Sequence, residues 1–237
     1  MRQQILDQLL KDKADKRPVV LATVLATAED TLFHPDEPGP FPLVGVDLTD
    51  EIRAAVREDK ARTVETPAGE VFLNVFNPPL RMAIVGAVHI AYPLVAIAQT
   101  AGYDVTVIDP RRAFATDTRF PDTHLVTDWP DEAMDAFRPD ARSAIVTLTH
   151  DPKLDDPALE RALRTNAFYI GCLGSKKTHA ARLERLRRMG FSDDELARIH
   201  GPVGLRIGAR SPAEIAVAIM AQVTEVLRRA PDDAAVS

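Results

Sequence analysis

From Met82 onward, five short and almost uninterrupted apolar runs recur along the chain: MAIVG at 82–86, DVTVID at 104–109, HLVT at 124–127, SAIVTL at 143–148 and AFYIGCLG at 167–174. Segments long enough for helical crossovers separate them. Strands that are apolar on both faces need cover on both faces, and a parallel sheet with helices above and below supplies it. The pattern predicts an α/β fold, a Rossmann-like parallel sheet with helices on both faces, over residues 80–237. In such sheets ligands bind beyond the carboxyl ends of the strands, so a site is to be sought in the residues that follow each run.

Ahead of Met82 the rhythm differs. Residues 2–15 place Ile5, Leu6, Leu9 and Leu10 on one helical face, and Pro18 marks the exit. VVLATVLAT, at 19–27, reads as a buried strand, and FHPDEPGPFP, at 33–42, reads as a proline-rich surface loop. Thr49 is placed as the cap of a short helix through Arg57, and residues 61–76 form two strands turning at Pro67-Ala68-Gly69. The prolines of NPPL, at 77–80, keep either neighbour from extending through them. The expected organisation is a small mixed α+β module, 1–79, followed by the Rossmann-like domain, 80–237. The last helix opens with a capping box, Ser211 with Glu214, and Pro212 in its first turn. It is apolar on most faces, which suits burial on the sheet or a homodimer interface. Residues 230–237 are expected to fray.

A formal charge of −6 offers no general attraction for nucleic acid or acidic membranes. The single cysteine, Cys172, rules out an internal disulfide and a thiolate-cluster metal site, and no other metal cluster stands out. The N-terminus is charged and amphipathic without a long apolar core, and no segment is apolar enough to span a membrane. On these features the protein is expected to be cytoplasmic.

The candidate site residues all follow strands. Gly86 lets the chain turn sharply, and the helix after it offers unpaired amide donors to an anion. With Ala87, Val88 and His89 it resembles a dinucleotide-binding turn in outline, and Asp109 follows at the spacing of an acid that receives ribose hydroxyls. Val88 stands where that fingerprint has its middle glycine. Were the glycine-type backbone kept, a branched side chain there would be strained by about 1–3 kcal/mol. A nicotinamide dinucleotide, NAD(P), is therefore disfavoured, whereas a ligand with one phosphate needs less of the turn. His89 stands where it either donates to a ligand or caps the helix. Asp109 either accepts from a ligand or pairs with Arg111 or Arg112, and Arg111 belongs to the candidate set. In TLTHDP, Asp151 suits a helix cap, while Thr149 and His150 are placed for ligand contact. Gly174, Ser175 and Lys176 make a second anion candidate, since a glycine turn leads into a capped helix with Lys177 in its first turn. It lacks the glycine spacing of a Walker A loop. No residue is assigned a catalytic role, and no carboxylate cluster suits a nucleotidyl transferase.

The segments VGAVHIA, VTVIDPR followed by RFP, TLTHDPKLD, YIGCLGSKKTHAARLERL and GLRIGARSPAEIAVAI resemble the xanthine dehydrogenase accessory proteins of the XdhC/CoxI type, over roughly Arg81 to Arg229. The resemblance implies a non-catalytic chaperone. Such a protein binds molybdopterin, the organic part of the molybdenum cofactor, and assists its maturation or insertion into a xanthine dehydrogenase-type molybdoenzyme. A cysteine desulfurase or sulfurase is the second partner it implies. Members commonly have glycine where Val88 stands and a longer N-terminal domain with an SGGC-like segment. This sequence has neither, so a protein thiolate on molybdenum is not expected.

Overall fold

The computed structural model describes residues 2–37, 40, 41, 45–67, 69–116 and 118–228. Parts of the expected proline-rich loop, Ala68 of the expected turn and the terminal segment 230–237 lie outside them. The chain divides into two compact units, Met1–Pro78 and Pro79–Ser237.

The first unit runs α1 (Gln3–Ala14), β1 (Val19–Val24), β2 (Glu29–Phe33), β3 (Pro40–Phe41), β4 (Val46–Asp47), α2 (Thr49–Glu58), β5 (Arg62–Thr66) and β6 (Gly69–Phe76). Four strands form an antiparallel sheet in the order β2-β1-β6-β5. Alternate residues Val20, Ala22, Val24, Val71 and Leu73 turn one way and pack with Leu48 and Ile52, as the two-residue period of a half-buried strand requires. Three expectations need correction. Strand β2 was not foreseen, and the segment 33–42 is not all loop, because Phe33 ends β2 and Pro40–Phe41 pairs with β4. Thr49 is the first helical residue of α2 rather than its cap: Asp47 accepts from the Thr49 backbone N–H at 2.9 Å and its hydroxyl at 2.5 Å.

The second unit runs β7 (Leu80–Val85), α3 (Ala91–Thr100), β8 (Tyr103–Ile108), β9 (His124–Val126), α4 (Pro130–Phe137), β10 (Ser143–Thr147), α5 (Pro152–Leu163), β11 (Tyr169–Cys172), α6 (Lys176–Arg188), α7 (Asp193–Ala197), β12 (Ile199–His200) and α8 (Pro212–Arg228). All neighbours in the sheet β12-β11-β10-β7-β8-β9 are parallel. Counted from β7, this is the 3-2-1-4-5-6 order of a Rossmann sheet, with its reversal between β7 and β10. Alternation along the strands divides the apolar residues between two cores. Met82, Ile84, Val105, Val107 and Val146 pack with Leu94 and Ala98 of α3 and Ile219 and Val223 of α8. Ala83, Val85, Ile108, Ile145, Ile170 and Cys172 pack with Met134, Leu159 and Leu186 on the other face.

The capping box of α8 forms: Ser211 N–H donates to Glu214 at 2.9 Å and Glu214 N–H to the Ser211 hydroxyl at 3.3 Å. The segment before it is drawn tightly onto the helix. Gly204, at φ 93°, approaches so closely that a Cβ would lie 3.1 Å from Ala218 backbone carbon, while Gln222 accepts from Gly204 N–H at 2.8 Å and the Tyr169 hydroxyl at 2.7 Å. The buried face of α8, including Ile219 and Val223, is thus used by the domain's own core.

Candidate functional site

Three loops meet where the sheet order reverses. The first leaves β7 through Gly86, whose φ of 111° suits glycine. The site opposite its α-carbon is filled by the second loop, since a Cβ at Gly86 would lie 2.6 Å from Thr149 Cγ2. Glycine is thus required here for backbone and for space. The condition for strain at Val88 is not met, because the positive φ at this turn belongs to Gly86 and Val88 instead packs half-buried against the apolar core. Ala87 is buried, and His89 is exposed. Helix α3 starts only after Ile90, with no side-chain cap.

Asp109, following β8, is fully buried. Its carboxylate accepts from Ala87 N–H at 2.8 Å, from Arg111 N–H at 3.0 Å, and from Arg111 Nε and Nη2 at 2.9 and 2.8 Å. Burial opposes its ionisation, but the hydrogen bonds from Arg111 and Ala87 outweigh burial and hold the carboxyl below its usual range. Of the alternatives open in the sequence, pairing with Arg111 is the one that forms. The Ala87 carbonyl is held in turn by Arg119 Nη1 at 3.0 Å, so both polar groups of this peptide position are fixed by side chains from the segment after β8.

The loop after β10 carries Thr149, half-buried, and His150, exposed and left-handed at φ 62°. A left-handed non-glycine residue costs about 1–3 kcal/mol, and must be held in place by its surroundings. Here the Thr149 hydroxyl accepts from Asp151 N–H at 3.1 Å and donates to Asp155 Oδ1 at 2.6 Å. Asp151 caps α5 by accepting from Lys153 N–H at 2.9 Å. Asp155 is buried and faces Arg182 Nη2 at 3.3 Å. Burial pushes its carboxyl above the usual range, and the bonds to Thr149 and Arg182 offset this only in part.

Arg182, itself fully buried on α6, also donates to the Leu173 carbonyl at 3.0 Å, immediately before the third loop. Its Nε and Nη1 have no hydrogen-bond partner among the described residues. In that loop Gly174 packs against Thr178, Ser175 caps α6 by accepting from Thr178 N–H at 3.1 Å, and Lys176 and Lys177 are exposed. Cys172 is wholly buried, and burial pushes its thiol up to about 12.

The chain Gly86–Thr149–Asp155–Arg182–Leu173 thus ties the three loops together, and Ala87–Asp109–Arg111 ties in a fourth. Asp155, Arg182 and Arg119 escaped the sequence reading. Each looks like an ordinary polar residue of a helix or loop, and one partner of each lies 27 or more positions away. Among the described residues no group of three or more His, Cys, Asp or Glu could hold a metal ion, and no helix is long and apolar enough to cross a membrane.

Sheet order and glycine turn define a Rossmann-type domain. The XdhC Rossmann domain family matches residues 82–223, and the chain belongs to that family. Among curated relatives it is 30% identical over 180 residues to a probable xanthine dehydrogenase component of Bacillus subtilis, covering 73% of this chain and 52% of that protein. It is also 30% identical over 158 residues to the molybdenum cofactor insertion chaperone PaoD of Escherichia coli, covering 67% of this chain and 43% of that one. The chain therefore spans about half the length of these relatives. A solved structure titled a xanthine dehydrogenase from Bacillus halodurans superposes with a TM-score of 0.68 at 25% identity, over 98% of this chain and 69% of the other.

Proposed function

We propose that this protein binds the molybdenum cofactor as cargo at the reversal of its sheet and assists its maturation or insertion into a xanthine dehydrogenase-type molybdoenzyme. The observation that carries the reading is the convergence of the Gly86, His150 and Gly174 loops, with Arg111 and Lys176 on the same strand ends, in a chain related to a named insertion chaperone. Gly86, Ala87, Val88 and His89 form one side of the site, Arg111 held by the buried Asp109 a second, Thr149 and His150 a third, and Gly174, Ser175 and Lys176 the fourth. The donor set suits the cargo's single phosphate and hydrogen-bonding pterin. Cys172 would not supply a thiolate to the cargo's metal, since it is wholly buried and burial pushes its thiol up to about 12.

The second reading, an NAD(P)-dependent oxidoreductase, is favoured by one observation, the Rossmann strand order with its glycine turn. Purification from cells that make the cofactor, followed by oxidation and fluorescence detection, separates the two. A fluorescent pterin near one per chain is expected. A stoichiometric nicotinamide and no pterin would replace the first reading by the second. Pull-down against an apo-molybdoenzyme and against a sulfurase tests the partners, and gel filtration tests self-association.

A further inference from the structure

In a dinucleotide-binding sheet, the acid at the end of the second strand receives two ribose hydroxyls, and to do so it must present free acceptor oxygens. Asp109 occupies that position at the end of β8, the strand beside β7. It has no free oxygen to present. Oδ1 takes Arg111 N–H and Nε, Oδ2 takes Ala87 N–H and Arg111 Nη2, and the residue is fully buried.

What the same position offers instead is a guanidinium. The Arg111 side chain remains 39% exposed, and its Nη1 takes part in none of the hydrogen bonds formed among the described residues. The group is already oriented. Asp109 grips one edge as a fork, and the Phe114 ring lies 4.7 Å from the guanidinium carbon. A guanidinium held in this way loses little freedom on meeting a phosphate, and its planar donors match phosphate oxygens. Where an arginine stands at this point of a Rossmann sheet, a phosphate replaces the ribose hydroxyl as the group recognised.

We infer that Arg111 makes the β8 side of the site selective for a phosphate monoester, and that Asp109 acts as its positioning residue rather than as a ligand contact. The inference rests on the proposed cofactor site for its place in function, but the anion chemistry is tested without the cofactor. The probes are inorganic phosphate, followed by phosphorus NMR line broadening, and adenosine, which carries a ribose diol and no charge. Each is titrated into the full chain and into Arg111→Gln and Arg111→Lys. Wild type is expected to bind phosphate and to bind adenosine more weakly. Arg111→Gln should weaken phosphate at least tenfold and strengthen adenosine, since it removes two of the four donors on the Asp109 oxygens and leaves one acceptor position on each. Arg111→Lys, which keeps charge without the fork, should weaken phosphate several-fold. A variant damaged in its fold would lose both probes, so the opposite responses are the signature.

Equal phosphate affinity in wild type and both variants, or no phosphate binding by wild type, overturns the inference. The fluorescent phosphorylated pterin obtained by oxidising molybdopterin, its dephosphorylated form, NADP and NAD then identify the phosphate's source. Preference for the phosphorylated pterin, lost in Arg111→Gln, supports both the inference and the cofactor reading. Phosphate binding through Arg111 with preference for NADP over NAD and no pterin binding supports the inference and refutes the cofactor reading.

Discussion

Replacing Gly86 by alanine should be among the most damaging single changes near the site, and its size can be worked from two separate sources. The first is the backbone. A φ of 111° is open to glycine but strained for any residue with a Cβ, by about 1–3 kcal/mol. The second is space. The added carbon would stand 2.6 Å from Thr149 Cγ2 and 3.3 Å from Thr149 N, well inside the ordinary carbon contact of about 3.5–4.0 Å. Thr149 is poorly placed to retreat, because its hydroxyl is anchored on Asp155 at 2.6 Å, so an overpacking cost of about 1–3 kcal/mol is added. Together these predict a loss of about 2–6 kcal/mol, or on the order of 5–20 °C in Tm for a domain of this size. Gly102 supplies the control: its φ is 86°, yet a Cβ there would meet nothing within 4 Å, so Gly102→Ala should show the backbone part alone. Thermal and urea unfolding followed by circular dichroism measures both. If Gly86→Ala unfolds at the same urea concentration as Gly102→Ala, the close approach of the two loops is not a constraint and the reasoning fails.

Arg182→Met leaves Asp155 buried without its counter-charge, which at pH 7 should cost about 3–5 kcal/mol. Since burial already raises the Asp155 carboxyl, stability tied to it is fullest below its unfolded pKa and lost as pH rises through the folded one. The deficit measured by urea unfolding should therefore be smaller at pH 5 than at pH 7, and an equal deficit at both would contradict the pairing. Asp109 has the opposite sign: its folded pKa is lowered, so its stabilisation is present above about pH 4, its unfolded range, and is lost as pH falls through the folded value. Asp109→Asn should consequently flatten the acid limb of the stability profile, and an unchanged limb would show that the carboxylate does not hold the turn. Lys176→Ala with Lys177→Ala should shift unfolding by no more than about 0.5 kcal/mol, because both side chains are exposed. If they face the ligand, anion affinity measured by calorimetry should drop, with the difference shrinking at high salt.

The sheet was legible because its inner strands β7, β8, β10 and β11 are almost wholly buried and therefore read as continuous apolar runs. Strand β2 was not, since EDTLF opens with two acids and its burial is mostly partial, the mark of an edge strand whose pattern resembles a turn. Strand β12 has only two residues, too few for any period. At the site, the places where strands end were readable, and Asp151, Ser175 and Ser211 were recognisable because caps are written in neighbouring residues. Tertiary partners were not. Pairing of Asp109 with Arg111 was open in the sequence because it is local, but the Ala87 N–H that also fills Asp109 lies 22 positions back, and the pairing of Asp155 with Arg182 joins two helices. The glycine-type backbone on which Val88 would be strained is not kept at that residue: the positive φ belongs to Gly86, and local spacing alone does not say which residue of a turn takes it.

Cofactor handover tests the central claim most directly. The purified chain, loaded with molybdenum cofactor, is mixed with an apo xanthine dehydrogenase-type enzyme, and the appearance of activity is compared with that from the same amount of free cofactor. The account predicts that the loaded chain retains cofactor through gel filtration and activates the apo-enzyme faster and to a greater extent. Loss of the cofactor on the column, together with activation no better than that by free cofactor, would contradict it.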